Sequence, residues 1–170
     1  PGVVFAQASS SGRSLKVAEE DPLSVATGIG FTAGPDAFLM GFEVDYRVAE
    51  GFSLGGTLQL GLEDDFTIIS PFGHLRYTFD LSGGQDSDIS RVRPYLQTGF
   101  GFTVIDIDNV PPGFDDDDAG FMLNFGFGTE LVMTDMISVG SKMLFNFMPD
   151  DVFNQDFYYS WEIATLRVRF

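Results

Sequence analysis

The side chains in this chain that could do acid–base or coordination chemistry are nearly all carboxylates and guanidiniums. Its 170 residues hold one histidine, His74, no cysteine, 25 acids and nine bases, for a net charge of −16. Without thiols there is no disulfide frame, no thiolate zinc site and no cysteine nucleophile. Nine scattered Lys and Arg form no basic patch that would release counterions from a polyanion, which excludes a nucleic-acid partner. His74 is the only candidate general base, and hydrolysis would need it beside a nucleophile and an acid. It lies in no His-x-Ser pattern, being followed by Leu75 and Arg76. The expectation is a non-enzymatic chain with no cofactor and no firmly defined metal site.

Two further groupings of charged residues stand out. Asp106, Asp108, Asp115, Asp116, Asp117 and Asp118 crowd one segment around Pro111-Pro112-Gly113. Oxygen-only ligands suit calcium or magnesium, but the spacing lacks the D-x-D-x-D-G register of a defined site. Asp106 to Asp118 therefore reads as a solvated acidic loop and a candidate rim for loosely held divalent cations. The second grouping is dispersed: Glu43, Asp45, Arg47, His74, Arg76, Arg93, Glu130, Lys142, Arg167 and Arg169 sit singly among apolar residues. Only an element with a strict period can gather such residues on one face.

That period is two. Leu23 to Phe31 alternates with Ser24, Ala26, Gly28, Gly30 and Thr32, and Phe38 to Val48 with Leu39, Gly41, Glu43, Asp45 and Arg47. Phe52 to Leu62 alternates with Ser53, Gly55, Thr57, Gln59 and Gly61, and a run from about Thr67 to Phe79 sets Ser70, Phe72, His74 and Arg76 on the minor face. Val92 to Val104 opposes Arg93, Tyr95, Gln97 and Thr103; Phe121 to Leu131 opposes Asn124, Gly126 and Glu130; Ile137 to Phe147 opposes Ser138, Lys142 and Asn146. The last run puts Ala164, Leu166, Val168 and Phe170 against Ile163, Thr165, Arg167 and Arg169. Strict alternation is the strand signal. Eight runs predict eight strands.

One face is Phe, Leu, Val, Ile and Met in nearly every run; the other is small and polar with single charges of both signs. A water-soluble sheet would charge its outer face densely, whereas a narrow barrel interior wants small residues and paired charges. The pattern predicts an eight-stranded antiparallel up-and-down transmembrane β-barrel with the apolar face toward lipid. The ten dispersed charged residues then become a paired network filling the lumen. Aromatic residues near run ends, including Phe31, Phe52, Tyr77, Tyr158 and Tyr159, fit interfacial girdles. No window of about 18 apolar residues exists for a helical span.

Residues 22–170 form the barrel domain. Before it, Val3-Val4-Phe5, Ala6-Gln7-Ala8 and Ser9-Ser10-Ser11 read as the tail of a secretory signal with a small-residue cleavage site, and residues 1–21 as a flexible N-terminal segment. The breaks after runs two and six are short, while those after five and seven are long and acidic. Short turns belong to the periplasmic side of such barrels and long loops to the outside. Run one should therefore point outward, with both termini periplasmic. Thirteen acids then fall in the outer loops, with no Lys or Arg among them: Asp36, Glu63, Asp64, Asp65, Asp106, Asp108, Asp115 to Asp118, Asp150, Asp151 and Asp156.

On these residues the chain resembles the small eight-stranded outer-membrane barrel families, such as the transmembrane domain of outer membrane protein A and outer membrane proteins X and W. The resemblance covers Pro22 to Phe170. Ala164, Leu166, Val168 and a terminal Phe170 look like the sorting signal read by the barrel-assembly machinery, and Arg93-Pro94-Tyr95 with Gly99-Phe100-Gly101 looks like a strand opening common in the group. It implies a bacterial outer-membrane location among lipid and lipopolysaccharide, and a structural, adhesive or surface-interaction role through the loops. Its alternatives are a narrow conduit for small or hydrophobic solutes, as in outer membrane protein W, and a lipid A-modifying barrel enzyme using a His, a Ser and an acid. A soluble lipid-binding barrel would reverse the two faces.

Overall fold

The computed structural model describes residues 22–81, 91–107, 117–152 and 155–170, with the side chains of 117 and 150–152 left aside. Eight strands follow in chain order: β1 Leu23–Ala33, β2 Ala37–Ala49, β3 Phe52–Leu62, β4 Phe66–Thr78, β5 Val92–Ile107, β6 Asp117–Val132, β7 Ile137–Val152 and β8 Gln155–Arg169. Each pairs antiparallel with the next, and β1 with β8, closing the barrel in the order β1 to β8. No α-helix occurs among the described residues. Closure leaves no sheet edge, which is what lets a sheet stand in lipid with every backbone group paired.

Register follows the alternation. Glu43 pairs with Thr57, Asp45 with Gly55, and His74 with both Gly55 and Gly99, so the minor face of each strand turns inward together. The tight β2–β3 turn is built on Gly51, whose φ of 73° lies in the left-handed region that favours glycine.

Four expectations need correction. Asp106 to Asp118 is not a loop throughout, because Asp106 pairs with Asp117 and Ile105 with Asp118, carrying the β5–β6 ladder past the lipid-length segment. Likewise β7 runs to Val152 and β8 begins at Gln155, so the break after β7 is short and the acids there belong to strands. Tyr158 is no girdle residue: it is 1% exposed and points into the barrel. Ile163 faces outward, 54% exposed, because β8 carries a bulge where Ile29 pairs with Ala164 but Gly30 with Glu162. The extra residue reverses the parity of everything before it. Residues 1–21, Asp108, Asp115 and Asp116 lie outside the described residues.

Candidate functional site: the barrel lumen and its two faces

The lumen is stratified. In the half nearer the β1–β2, β3–β4 and β5–β6 connections, Ile68, Phe72, Ile105, Met122, Leu144, Met148 and Tyr158 pack into an apolar cluster. A small hydroxyl group sits within it, Ser70 Oγ lying 2.8 Å from Thr103 Oγ1 and 3.0 Å from the Tyr158 hydroxyl. Below it come amides, with Gln59 Nε2 donating to Glu162 Oε1 at 3.0 Å. The half nearer the chain's first and last strand ends is charged.

Four carboxylates and four cations interlock there. Glu43 accepts from Arg76 and Arg167 on Oε1 and from Lys142 Nζ on Oε2 at 2.7 Å. Asp45 accepts from Arg167 and lies 2.6 Å from His74 Nε2. Glu130 takes Arg167 Nε at 2.7 Å, Arg76 Nη1 at 3.2 Å and Arg169 Nη2 at 2.7 Å. Lys142 also bridges to Glu162 at 3.1 Å. The Arg76 guanidinium sits 4.1 Å over the Tyr95 ring, a cation–π contact. Buried charges are tolerated only when paired in this way.

Of the ten dispersed charged residues, the structure joins Glu43, Asp45, His74, Arg76, Glu130, Lys142, Arg167 and Arg169 directly in this web, and it sets Arg47 and Arg93 half-buried at its open end. Glu162 is the member that reading the chain by twos overlooks. Its parity matches lipid-facing Ala164 and Leu166, while Trp161 has lumen parity; that conflict is the signal of the bulge that restores both.

Thr57, His74 and Asp45 form a series of hydroxyl, imidazole and carboxylate, with Thr57 Oγ1 3.1 Å from Nδ1. A carboxylate can only accept, so Nε2 donates to Asp45. All three are at most 5% exposed, and the spaces found inside the lumen measure about 10 and 50 Å³. Glu43, Asp45 and His74 also offer ligand atoms within 4.8 Å of one another. Arg76, Arg167 and Lys142 already hold the carboxylate oxygens, however, and a divalent cation would add charge among three cations.

The outer wall is the reverse. Phe100 is 64% and Phe102 61% exposed, among a continuous set of exposed Leu, Val, Ile and Phe from all eight strands. Ala164, Leu166 and Phe170 are exposed on this wall, with Val168 half-buried. A patch of this extent does not face water in a monomer. The described acids Asp36, Glu63, Asp64, Asp65, Asp106 and Asp156 are exposed together at the end away from the charged lumen. There Asp118 Oδ1 accepts from the Ala119 amide at 2.9 Å.

No protein-family model and no curated protein matches the sequence. Solved structures do. Neisserial surface protein A (NspA) superposes with a TM-score of 0.68 at 16% identity over 87% of this chain and 96% of its own. The fold is that of the small outer-membrane β-barrels. The N-terminal β-barrel domain of Pseudomonas aeruginosa OprF matches with a TM-score of 0.62 at 13% identity, over 87% of this chain and 96% of that one. The outer membrane enzyme PagL gives 0.51 at 12% identity, over 86% and 99%. One architecture thus carries a surface protein, a domain of a larger protein and an enzyme, so function has to be argued from this chain's own sites.

Proposed function

We propose that the chain is an integral outer-membrane barrel of a double-membraned bacterium, with both termini periplasmic, and that it works through its acidic outer rim, not through its lumen. The occlusion of the lumen carries this reading. An apolar plug stacked on a salt-bridged layer leaves internal spaces of about 10 and 50 Å³, and eight strands enclose little more than their own side chains. A conduit would need a continuous passage, and a hydrolase would need a substrate-sized cleft beside His74. The role left is at the surface: structural, adhesive or partner-binding, with divalent cations gathered at the rim formed by Asp106, Asp117, Asp118 and their neighbours. The outer wall fits lipid and lipopolysaccharide acyl chains, and Ala164, Leu166, Val168 and Phe170 serve as the signal for the barrel-assembly machinery.

Reconstitution into planar bilayers tests the reading. The folded chain should need detergent for solubility, migrate differently on gels before and after heating, and produce no conductance steps. Stable ohmic steps from the wild-type chain would return the lumen to the role of a conduit.

A further inference from the structure

At the end of the barrel away from the charged lumen, the wall holds an open recess of about 480 Å³ between the β1–β2 turn, the end of β3 and the first half of β8. Alternation turns Phe31 and Phe38 outward side by side, since they pair across β1 and β2, and Tyr159 joins them from β8, where it pairs with Ala33. The exposed carboxylates of Asp36 and Glu63 complete the lining. Two observations set this recess apart from an interfacial girdle. At the opposite end Phe52, Tyr77 and Phe79 cover one another, with ring centroids 4.7 and 4.9 Å apart, whereas neither Phe38 nor Tyr159 stacks on another ring among the described residues. The Asp36 and Glu63 carboxylates likewise form no ion pair or hydrogen bond among the described residues.

The geometry points to a binding site for a quaternary ammonium group of the choline type, presented from the aqueous phase at that end. An aromatic face is negative, and carboxylates beside it add full charge, so the recess attracts a cation that also carries apolar surface. A hard metal ion would use the carboxylate oxygens and leave the rings idle. A trimethylammonium head uses both: its methyl groups lie against the rings, and it has no N–H to be left unsatisfied there. The volume falls within the range of small-ligand sites, about 300 to 1,000 Å³, so the head enters with part of its carrier. The inference rests on the surface role proposed above and gives that rim a ligand class. It requires neither divalent cations nor an open lumen.

The test uses the full chain folded in a non-ionic detergent with EDTA present, titrated with choline at ionic strength held constant with sodium chloride. Trp161 is the only tryptophan and its ring lies 5.6 Å from that of Phe31, so its emission reads occupancy without a label. Choline should give a saturable change, and its neutral isostere, with carbon in place of the ammonium nitrogen, should bind roughly tenfold more weakly. Phe38→Leu and Glu63→Gln should each weaken choline by about fivefold, while Asp135→Asn, in the β6–β7 turn at the opposite end, leaves it unchanged. Phosphocholine is titrated alongside: tighter binding than choline assigns the group to a headgroup and weaker binding to a free amine, and either supports the site. Heat-modifiable migration verifies that each variant is folded; if Phe38→Leu fails that check, the isostere comparison decides. Equal binding of the isostere, the same response to sodium chloride alone, or a loss confined to Glu63→Gln would overturn the proposal. Bilayer conductance is read separately, so a failed choline titration leaves the plugged lumen standing, and a conducting lumen leaves the choline result standing.

Discussion

Glu43 and Lys142 stand 99 positions apart in the chain, yet Nζ and Oε2 meet across the lumen at 2.7 Å. That contact ties β2 to β7 through the barrel interior, where no backbone hydrogen bond reaches. Glu43 also accepts from Arg76 and Arg167, so three cations converge on it, as three do on Glu130. Glu43→Gln should cost about 3 to 5 kcal/mol, the usual penalty for leaving buried charge uncompensated. Urea unfolding from lipid vesicles would read it. In Glu43→Gln with Lys142→Met, the total loss should fall short of the two single losses by at least about 0.5 kcal/mol, as for residues in direct contact. A single-variant loss below about 1 kcal/mol, the scale of a solvent-exposed pair, would mean that the layer is wet and weakly coupled.

A second contact makes the layer sensitive to the wall. A Cβ placed on Gly128 would lie 2.4 Å from the Tyr95 ring, and that ring carries Arg76 on its face. Gly128→Ala, whose Cβ would also lie 2.6 Å from the Ser141 carbonyl oxygen, should force Tyr95 aside and strain the β6–β7 pairing, and cost about 1 to 3 kcal/mol, as overpacking does. Gly56, where a Cβ meets nothing nearer than 4.0 Å, should accept alanine with little loss. Equal effects at the two positions would remove Tyr95 as the link.

The facing of the wall makes the third prediction. Leu123 is exposed and its neighbour Asn124 is buried. If the wall lies in lipid, Leu123→Arg should destabilise the folded barrel by about 2 to 4 kcal/mol near the midplane. Full stability of that variant in an aqueous buffer without detergent would favour the soluble barrel instead.

Most of the barrel is legible in the chain because the side-chain period of a strand is fixed at two. The inward positions of Glu43, Asp45, His74, Arg76, Glu130 and Lys142 follow from parity alone, and the structure places them so. Parity fails where one residue is inserted. Gly30 permits the β8 bulge: a Cβ there would fall 1.8 Å from the Trp161 carbonyl oxygen, so only glycine allows the strands so close. Reading back from Phe170 without that insertion loses Glu162 from the lumen and puts Ile163 in its place. Strand ends are hidden for another reason: at Asp106 the outward face turns polar while Ile105 stays buried inward, so Asp106, Asp117 and Asp118 pair through their backbones where the outward positions no longer read as apolar. Nor does periodicity reveal which inward residues touch, since the salt-bridge partners are set by the curvature and tilt of the closed sheet.

A fourth prediction concerns assembly. The Phe170 amide donates to the Leu23 carbonyl at 2.9 Å, closing the β8–β1 seam at its last residue, while the ring stays exposed on the outer wall. An exposed aromatic at the seam packs against little and contributes little to stability. Deleting Phe170 should therefore lower insertion into the outer membrane, with synthesis unchanged and only a small change in the unfolding of material that does insert. Insertion at the wild-type level would remove the sorting role from Ala164, Leu166, Val168 and Phe170.

The last prediction follows from the separation of charge along the barrel axis. Arg47, Arg76, Arg93, Arg167 and Arg169 lie toward one end of the barrel, where Glu50, Asp80 and Asp135 are also exposed, and Asp36, Glu63, Asp64, Asp65, Asp106 and Asp156 are exposed at the other with no described Lys or Arg beside them. Exposed charge is screened over about 8 Å at physiological ionic strength, so the acidic rim acts as a short-range field and not as a coordination site of fixed geometry. Cations gathered there should be loosely held, displaced by added salt, and able to bridge the rim to another anionic surface. Replacing Asp115, Asp116, Asp117 and Asp118 with Asn should weaken calcium-dependent association of the reconstituted barrel with anionic vesicles. Heat-modifiable migration and urea unfolding should stay as in the wild type, because the charged lumen lies at the opposite end. Calcium that changes nothing in the wild-type chain at low salt would leave the rim as a solubilising surface only.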